Sequence, residues 1–188
     1  MSKVLSEMII LPEDSKVGLF GGSFNPAHEW HYQVANEAYK SLGLDLVIWL
    51  VSPHNPLKDK NSLMPLSKRM ESAKNTALSS NFIVTDIEKT INTQYSFDTV
   101  SIFQESYPTV KFIWIMGSDN AAQIEEWKNW KEFIKKIPMA IYPRATNPII
   151  DVEKKLKKNA KKIDMENSKD LINTETPCFT FINGPMND

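Results

Sequence analysis

The residues with the clearest chemical potential lie near the N-terminus, where a glycine pair precedes two histidines. The apolar run 17–20 enters Gly21 and Gly22, and His28 and His31 follow where a helix is predicted to begin. Because glycine has no β-carbon, backbone N–H groups beside it can approach phosphate oxygens, and the N-terminus of the next helix favours the same anion. Histidines three residues apart share one helix face, so both imidazoles can reach one ligand. The segment therefore predicts a phosphate-binding site.

Short apolar runs predict the strands that position this segment, and the stretches between them predict helices. The runs are rich in β-branched or aromatic residues and are bounded by turn residues. They lie at 17–20, 46–51, 82–85, 110–116, 139–142 and 178–182, and the predicted helices lie within 34–42, 66–77, 121–137 and 152–163. This alternation predicts an α/β, Rossmann-like, doubly wound and mostly parallel sheet, with ligands beyond the carboxyl ends of the strands.

Length and composition favour a single domain spanning 1–188. The chain has 188 residues, of which 41% are hydrophobic, so it can bury roughly 70% of its unfolded surface. Its net charge of −1 gives no basic field for nucleic acid. The lone cysteine, Cys178, cannot form an internal disulfide, and the apolar run 5–11 is too short and too acidic to be a signal segment or a membrane span. We expect a cytoplasmic protein without a nucleic-acid or membrane partner, with 1–15 a poorly ordered extension. The oligomeric state stays open.

The segment Gly-Gly-Ser-Phe-Asn-Pro-Ala-His-x-x-His, from Gly21 to His31, resembles the signature of the (H/T)xGH nucleotidyltransferases, specifically the bacterial nicotinate-mononucleotide adenylyltransferases. Four further matches follow in order along nearly the whole chain. They are Trp-Leu-Val-Ser-Pro-His-Asn-Pro-Leu-Lys at 49–58, Val-Thr-Asp-Ile-Glu at 84–88, Tyr-Ser-Phe-Asp-Thr at 95–99 and Phe-Ile-Trp-Ile-Met-Gly-Ser-Asp at 112–119. Two features depart from the family pattern. Trp30 replaces a glycine and is expected to narrow the space beside the nucleotide, and the printed chain stops before the Ser/Thr-rich, arginine-ending motif of the family's last helix.

The resemblance implies transfer of the adenylyl group of ATP to nicotinate mononucleotide in NAD biosynthesis. His28 and His31 are the implied catalytic residues. The implied ATP-binding residues are Gly21, Gly22, Ser23, Phe24, Asp119 and Arg144. The implied mononucleotide-binding residues are His54, Lys58, Thr85, Tyr95, Thr99 and Trp127, with Trp127 stacking on the nicotinate ring and Lys58 holding the phosphate. Mg²⁺ is expected to bind mainly through the ATP phosphates, without a dedicated protein metal site.

Two other interpretations stay open from the sequence. The phosphate acceptor could be another ester, such as phosphopantetheine or nicotinamide mononucleotide, because the first motif indicates only nucleotide chemistry. Alternatively, the two departures could mark a degenerate nucleotide-binding homologue with little turnover. Several site residues also have structural interpretations: Asp119 could cap a helix, and Trp127 and Trp130 could form a core pair. Of the two arginines, Arg69 is predicted to lie on a helix distant from the site.

Overall fold

The computed structural model describes residues 2–53, 62–144 and 149–184. The strands are β1 (Lys16–Gly22), β2 (Leu46–Val51), β3 (Phe82–Thr85), β4 (Lys111–Gly117), β5 (Met139–Tyr142), β6 (Lys161–Ile163) and β7 (Cys178–Phe181). The α-helices are α1 (Ser2–Met8), α2 (Glu29–Leu42), α3 (Leu66–Thr76), α4 (Ile87–Thr90), α5 (Ser96–Ser106), α6 (Ser118–Ala122), α7 (Trp130–Lys136) and α8 (Ile149–Leu156). The 3₁₀ helices that lie wholly within the described residues span Ile124–Glu126 and Met165–Asn173. In these described ranges no helix is both long and apolar enough to span a bilayer.

All seven strands form one parallel sheet in the order β3-β2-β1-β4-β5-β7-β6. The chain builds outward from β1 to β2 and β3 on one side, and then crosses to β4 on the other side. The strand order therefore reverses between β1 and β4, and such a switch point opens a crevice at the carboxyl edge of a parallel sheet. The predicted Rossmann-like fold is confirmed.

Hydrophobic side chains cover both faces of the sheet. Along β4, Phe112, Trp114 and Met116 belong to one buried cluster, whereas Ile113 and Ile115 belong to the other. This alternation follows the two-residue period of a strand. Residues of α1, α4, α5, α6, α7 and α8 pack on the first face, and those of α2, α3 and the second 3₁₀ helix pack on the second. Burial on both faces explains the continuous apolar runs of the sequence.

The glycine pair extends the first strand beyond the apolar run 17–20 from which the strand was predicted. Gly21 pairs with Leu50 and Gly22 pairs with Val51, so β1 runs two residues beyond the predicted apolar run. Neighbouring rings leave little room for a side chain at either glycine. A β-carbon on Gly21 would lie 2.8 Å from two ring carbons of Trp114, and one on Gly22 would lie 3.2 Å from the ring of Phe24.

The predictions of a helix within 121–137 and of a helix within 152–163 are wrong in part. The stretch 121–137 divides into α6, a 3₁₀ turn and α7, and Asn129 precedes α7 with a left-handed φ of 56°. The stretch 152–163 begins in α8 but ends in β6, which pairs with β7 at the edge of the sheet. Lysines are common on edge strands, where they discourage pairing with another chain. The predicted helix within 152–163, which contains several lysines, is therefore part helix and part edge strand.

The N-terminal residues differ from the expected disordered extension. Helix α1 buries Leu5, and Ile9 is buried just beyond its end, so one apolar stripe packs on the core. The hydroxyl of Tyr107 donates its one proton toward the carbonyls of both residues, at 2.5 Å from Ile9 and 3.1 Å from Leu5. Burial raises the pKa of Tyr107 to about 12. The N-terminus is therefore attached to α5.

Candidate active site

Two clefts open at the carboxyl edge of the sheet and share one wall. The aromatic cleft, on the first face, is lined by Glu88, Tyr95, Trp114, Trp127 and Lys128 among others. The histidine cleft, on the second face, is lined by residues that include Phe24, His28, His31, Asp119 and Arg144. Gly21, Gly22, Ser23 and Asn120 line both clefts. Two molecules bound in these clefts would therefore meet across the end of β1.

The shared wall is thin because β1 ends in glycine. A side chain on Gly21 would enter the space that the indole of Trp114 occupies on the aromatic side. Ser23, the first residue after β1, is buried, and its hydroxyl makes no hydrogen bond within the described residues. A buried polar atom without a partner is uncommon, and a ligand can supply the missing hydrogen bond. Ser23 is therefore well suited to contact a molecule in either cleft.

The two histidines form a linked pair at the start of α2. His28 is the N-cap residue, and its backbone N–H donates to Nδ1 of His31 at 3.2 Å. The two ring centroids are 4.1 Å apart. Because Nδ1 of His31 accepts a hydrogen bond, a neutral His31 carries its proton on Nε2, which is then a donor. Burial, followed by the positive charge of Arg144, lowers the pKa of His28, so this imidazole is mainly neutral at pH 7.

An ion pair closes the other side of the histidine cleft. The Arg144 guanidinium lies 3.2 Å from Asp119 Oδ2, and the Arg144 backbone N–H donates to Ser118 Oγ at 2.8 Å. A β-carbon on Gly117 would collide with the Asp119 carboxylate and lie 3.1 Å from Arg144 Nε. Asp119 makes no side-chain cap on α6. Its Oδ1 is buried without a hydrogen-bond partner within the described residues, so it can accept from a ligand in the cleft.

Arg69 lies directly behind the shared wall, which corrects its predicted distant position. Its side chain is 1% exposed and donates to the carbonyls of Ser23, Ser52, Pro53 and Met64 at 2.7 to 3.0 Å. Burial lowers the pKa of Arg69, but an arginine keeps its charge at neutral pH. The sequence could not show this contact, because it depends on how α3 packs beneath the ends of β1 and β2.

Trp127 lies in the aromatic cleft, as expected. Its ring packs edge-on against Trp114, with centroids 6.1 Å apart, and also contacts Phe133. Trp130 packs against the core cluster, in agreement with its structural interpretation. Trp114 was not predicted as a site residue, because in the sequence it is one apolar position of a buried strand.

Two predicted mononucleotide-binding residues lie behind the cleft and do not line it. Thr99 is fully buried and donates to Glu88 Oε1 at 2.8 Å, while Thr85 Oγ1 accepts the Ile87 N–H at 3.1 Å. Glu88 itself lines the cleft and is 6% exposed. Burial raises the pKa of Glu88, whereas hydrogen bonds with Thr99 and Ser52 oppose that rise. Thr99 therefore supports Glu88 and does not face a ligand.

Three further expectations have different outcomes. His54 and Lys58 lie outside the described residues.

Trp30 is 44% exposed and packs edge-on against Tyr142, with centroids 6.4 Å apart. The described lining of the histidine cleft does not include Trp30, so the expected narrowing of that cleft is not seen.

The fold and the paired clefts define a nucleotide-binding α/β protein of the Rossmann type, with its site at the switch point. The chain belongs to the cytidylyltransferase-like family, whose sequence model matches residues 19–175.

Similar proteins carry a more specific name. A protein of Caulobacter sp. (strain K31), called "Probable nicotinate-nucleotide adenylyltransferase", is 38% identical over 92% of this chain and 92% of its own length. A protein of the same name from Ruegeria pomeroyi is 39% identical over 92% of this chain and 81% of its own length. The fold also matches the Plasmodium falciparum nicotinic acid mononucleotide adenylyltransferase complexed with NaAD. That match has a TM-score of 0.72 and 17% identity, covering 93% of this chain and 77% of the other.

Proposed function

We propose that this chain transfers the adenylyl group of ATP to nicotinate mononucleotide, forming nicotinate adenine dinucleotide and pyrophosphate. The observation that carries the proposal is the wall shared by the two clefts, because a group transfer needs two ligands held in contact. The histidine cleft offers donors for a triphosphate, and the aromatic cleft offers rings for a pyridine. The names of the relatives agree with this assignment.

The reaction needs alignment more than acid or base chemistry. An oxygen of the mononucleotide 5′-phosphate attacks the α-phosphorus of ATP, and the bond from that phosphorus to the α,β-bridging oxygen breaks. The attacking oxygen is already anionic, so no proton has to be removed. The protein's task is to hold the two phosphates in line and to neutralise the charge that develops on the leaving pyrophosphate.

The residues of the histidine cleft fit that task. His31 Nε2–H and His28 would donate to phosphate oxygens, and Arg144 adds a fixed positive charge. Backbone groups and the hydroxyl of Ser23 would contact the α-phosphate at the shared wall. The proposed contact between Lys58 and the mononucleotide phosphate rests on the resemblance.

Mg²⁺ would neutralise phosphate oxygens when ATP is bound. No group of three or more His, Cys, Asp or Glu side chains is placed to hold a metal in the described part of the chain. Asp119 is the one carboxylate on the described lining of the histidine cleft, and its Oδ1 is unsatisfied. The residues therefore fit a cation held mainly by phosphate and water, with Asp119 as a ligand or a partner of bound water.

A turnover assay tests the proposal. The purified chain is given ATP and Mg²⁺ with nicotinate mononucleotide, nicotinamide mononucleotide or phosphopantetheine, and pyrophosphate and the coupled product are measured. We expect the nicotinate compound to exceed its amide at least tenfold in kcat/KM, equivalent to about 1.4 kcal/mol. Faster turnover of phosphopantetheine would assign a different acceptor. Binding of ATP without turnover of any acceptor would indicate the degenerate homologue.

A further inference from the structure

Lys128 stands in the aromatic cleft, directly after Trp127. Its Nζ lies 4.2 Å from the centroid of the Tyr95 ring and 3.9 Å from Asp98 Oδ2. Asn129 follows with a left-handed φ of 56°, which separates the Trp127–Lys128 pair from α7. Tyr95, Trp127 and Lys128 thus place two rings and one ammonium group together at the same cleft.

Lys128 is the one cationic side chain on the lining of this cleft in the described ranges, where the acidic side chains are Glu88 and Glu126. The Glu88 carboxyl is buried and hydrogen-bonded by Thr99. The ion pair of Lys128 with Asp98 is too long for a hydrogen bond, and both side chains are about half exposed, so it holds Lys128 weakly. The ammonium group can therefore accept a second anionic partner.

The charge of a ring substituent is the property that such a lysine can detect. Nicotinate and nicotinamide mononucleotides share the ribose, the phosphate and the pyridinium ring, and differ only in a carboxylate or a carboxamide. The rings of Trp127 and Tyr95 can contact both compounds equally well. An ammonium group attracts the carboxylate but gains little from the neutral amide.

We propose that Lys128 is a specificity-determining residue that selects a carboxylate-bearing pyridine mononucleotide over its amide. This inference rests on the proposed function and adds to it the residue that sets the choice of acceptor. The ammonium group of Lys128 lies over the Tyr95 ring, and this cation–π contact keeps the charge beside the rings that line the cleft.

The test compares Lys128→Met with the matched control Lys131→Met. Lys131 lies on α7 over the Trp130 ring, at 5.7 Å, and does not line the aromatic cleft. For Lys128→Met we expect kcat/KM for nicotinate mononucleotide to fall at least tenfold, while the value for nicotinamide mononucleotide and the KM for ATP change less than about twofold. Lys128→Arg should keep most of the preference, and Lys131→Met should leave both acceptors unchanged.

Other outcomes separate this inference from the proposed function. An equal loss with both acceptors, or no loss with either, would overturn the role of Lys128 and leave the adenylyl transfer intact. If the native chain turned over no mononucleotide, the proposed function would fail. The affinity of each mononucleotide, measured by calorimetry, would then decide whether Lys128→Met weakens binding of the nicotinate compound alone. Equal binding of both compounds by the native chain would contradict the inference.

Discussion

At the scale of single residues, the two nitrogens of His31 have separate tasks. Nδ1 accepts the backbone N–H of His28 and supports the start of α2, while the protonated Nε2 is the donor that the proposed function assigns to a phosphate. One histidine thus contributes to folding with one atom and to the proposed catalysis with another. Substitutions that mimic one nitrogen at a time can separate these contributions.

His31→Gln places an amide near the position of Nε2, whereas His31→Asn places one near Nδ1. We expect His31→Asn to lower kcat by about 10² or more and to keep most of the stability, because it retains an acceptor for the His28 N–H. His31→Gln should keep more of kcat and lose more stability, by about 1 kcal/mol. Steady-state kinetics and urea unfolding on the same preparations measure both effects. If the variant with the lower stability also had the lower kcat, His31 would have a structural role only.

Glu88 makes stability depend on pH. Because burial raises its pKa, the folded chain holds the Glu88 proton more tightly than the unfolded chain does. The stability that Glu88 contributes is therefore greatest in acid and is lost as pH rises from about its ordinary value of 4.5 through the raised pKa. The slope cannot exceed about 1.4 kcal/mol per pH unit for one proton.

Glu88→Gln removes that titration. We expect the free energy of unfolding of the native chain, minus that of Glu88→Gln, to fall as pH rises through this range and then to level off. Urea unfolding of both proteins from pH 4.5 to pH 8 measures the difference, in which other titrating groups cancel. A difference that rises with pH would mean that the hydrogen bonds from Thr99 and Ser52 outweigh the burial of Glu88.

At the scale of elements, β1 and β4 fix the aromatic cleft together. They are neighbours in the sheet, with Phe20 opposite Ile115, so Gly21 near the end of β1 lies beside the indole of Trp114 on the same face. Trp114 is 2% exposed and also packs against Trp127 and Phe133. Trp127 packs on Trp114, and Trp114 fits only because Gly21 of β1 has no side chain. The position of Trp127 in the cleft therefore depends on Gly21.

Gly21→Ala is expected to lower the free energy of unfolding by about 1–3 kcal/mol and to reduce kcat/KM for the mononucleotide, because the new methyl group displaces the Trp114 ring. Trp114→Phe in the same chain should restore part of both losses, since the smaller ring leaves room. A double-mutant cycle with the two single variants measures this coupling. Additive effects would contradict direct contact between the two positions.

At the scale of the whole molecule, one buried arginine joins the segments that form the site. Arg69 of α3 binds carbonyls after β1, after β2 and before its own helix, so a single guanidinium holds both loops beneath the shared wall. Its removal would leave several carbonyls without a donor, and each such loss is costly where water cannot enter.

For Arg69→Met we expect a loss of at least about 3 kcal/mol in the free energy of unfolding and a raised KM for ATP. The matched control is Lys68→Met at the adjacent residue, whose exposed side chain pairs with the exposed side chain of Glu71. This substitution should cost less than about 1 kcal/mol. Where Arg69→Met does not fold, Arg69→Lys serves, since it keeps the charge but not the planar set of donors. If folded Arg69→Lys had the KM for ATP of the native chain, the planar set of guanidinium donors would not be needed at the site.

The sequence by itself determined the alternation of strands and helices, the parallel sheet, and the placement of Gly21, His28 and Asp119 near its carboxyl edge. These features follow from local periodicity and from residue types a few positions apart, which one segment displays alone. Trp127 was predicted differently, from the family resemblance, which implies that it stacks on the nicotinate ring.

Only the tertiary structure decided which distant residues share the site. Arg69 beneath the wall, Trp114 against Gly21 and Lys128 over Tyr95 all depend on the register of strands and on how helices pack, and no single segment encodes these quantities. The same cause explains the errors. Lys161 and Lys162 were predicted as the end of a helix, but they pair with β7 as an edge strand. Residues 2–9 were predicted as part of a poorly ordered extension, but Leu5 and Ile9 are buried in the core and contact Tyr107. The local sequence pattern indicates whether a segment forms a helix or a strand, but the elements that pack against the segment determine its final structure and position.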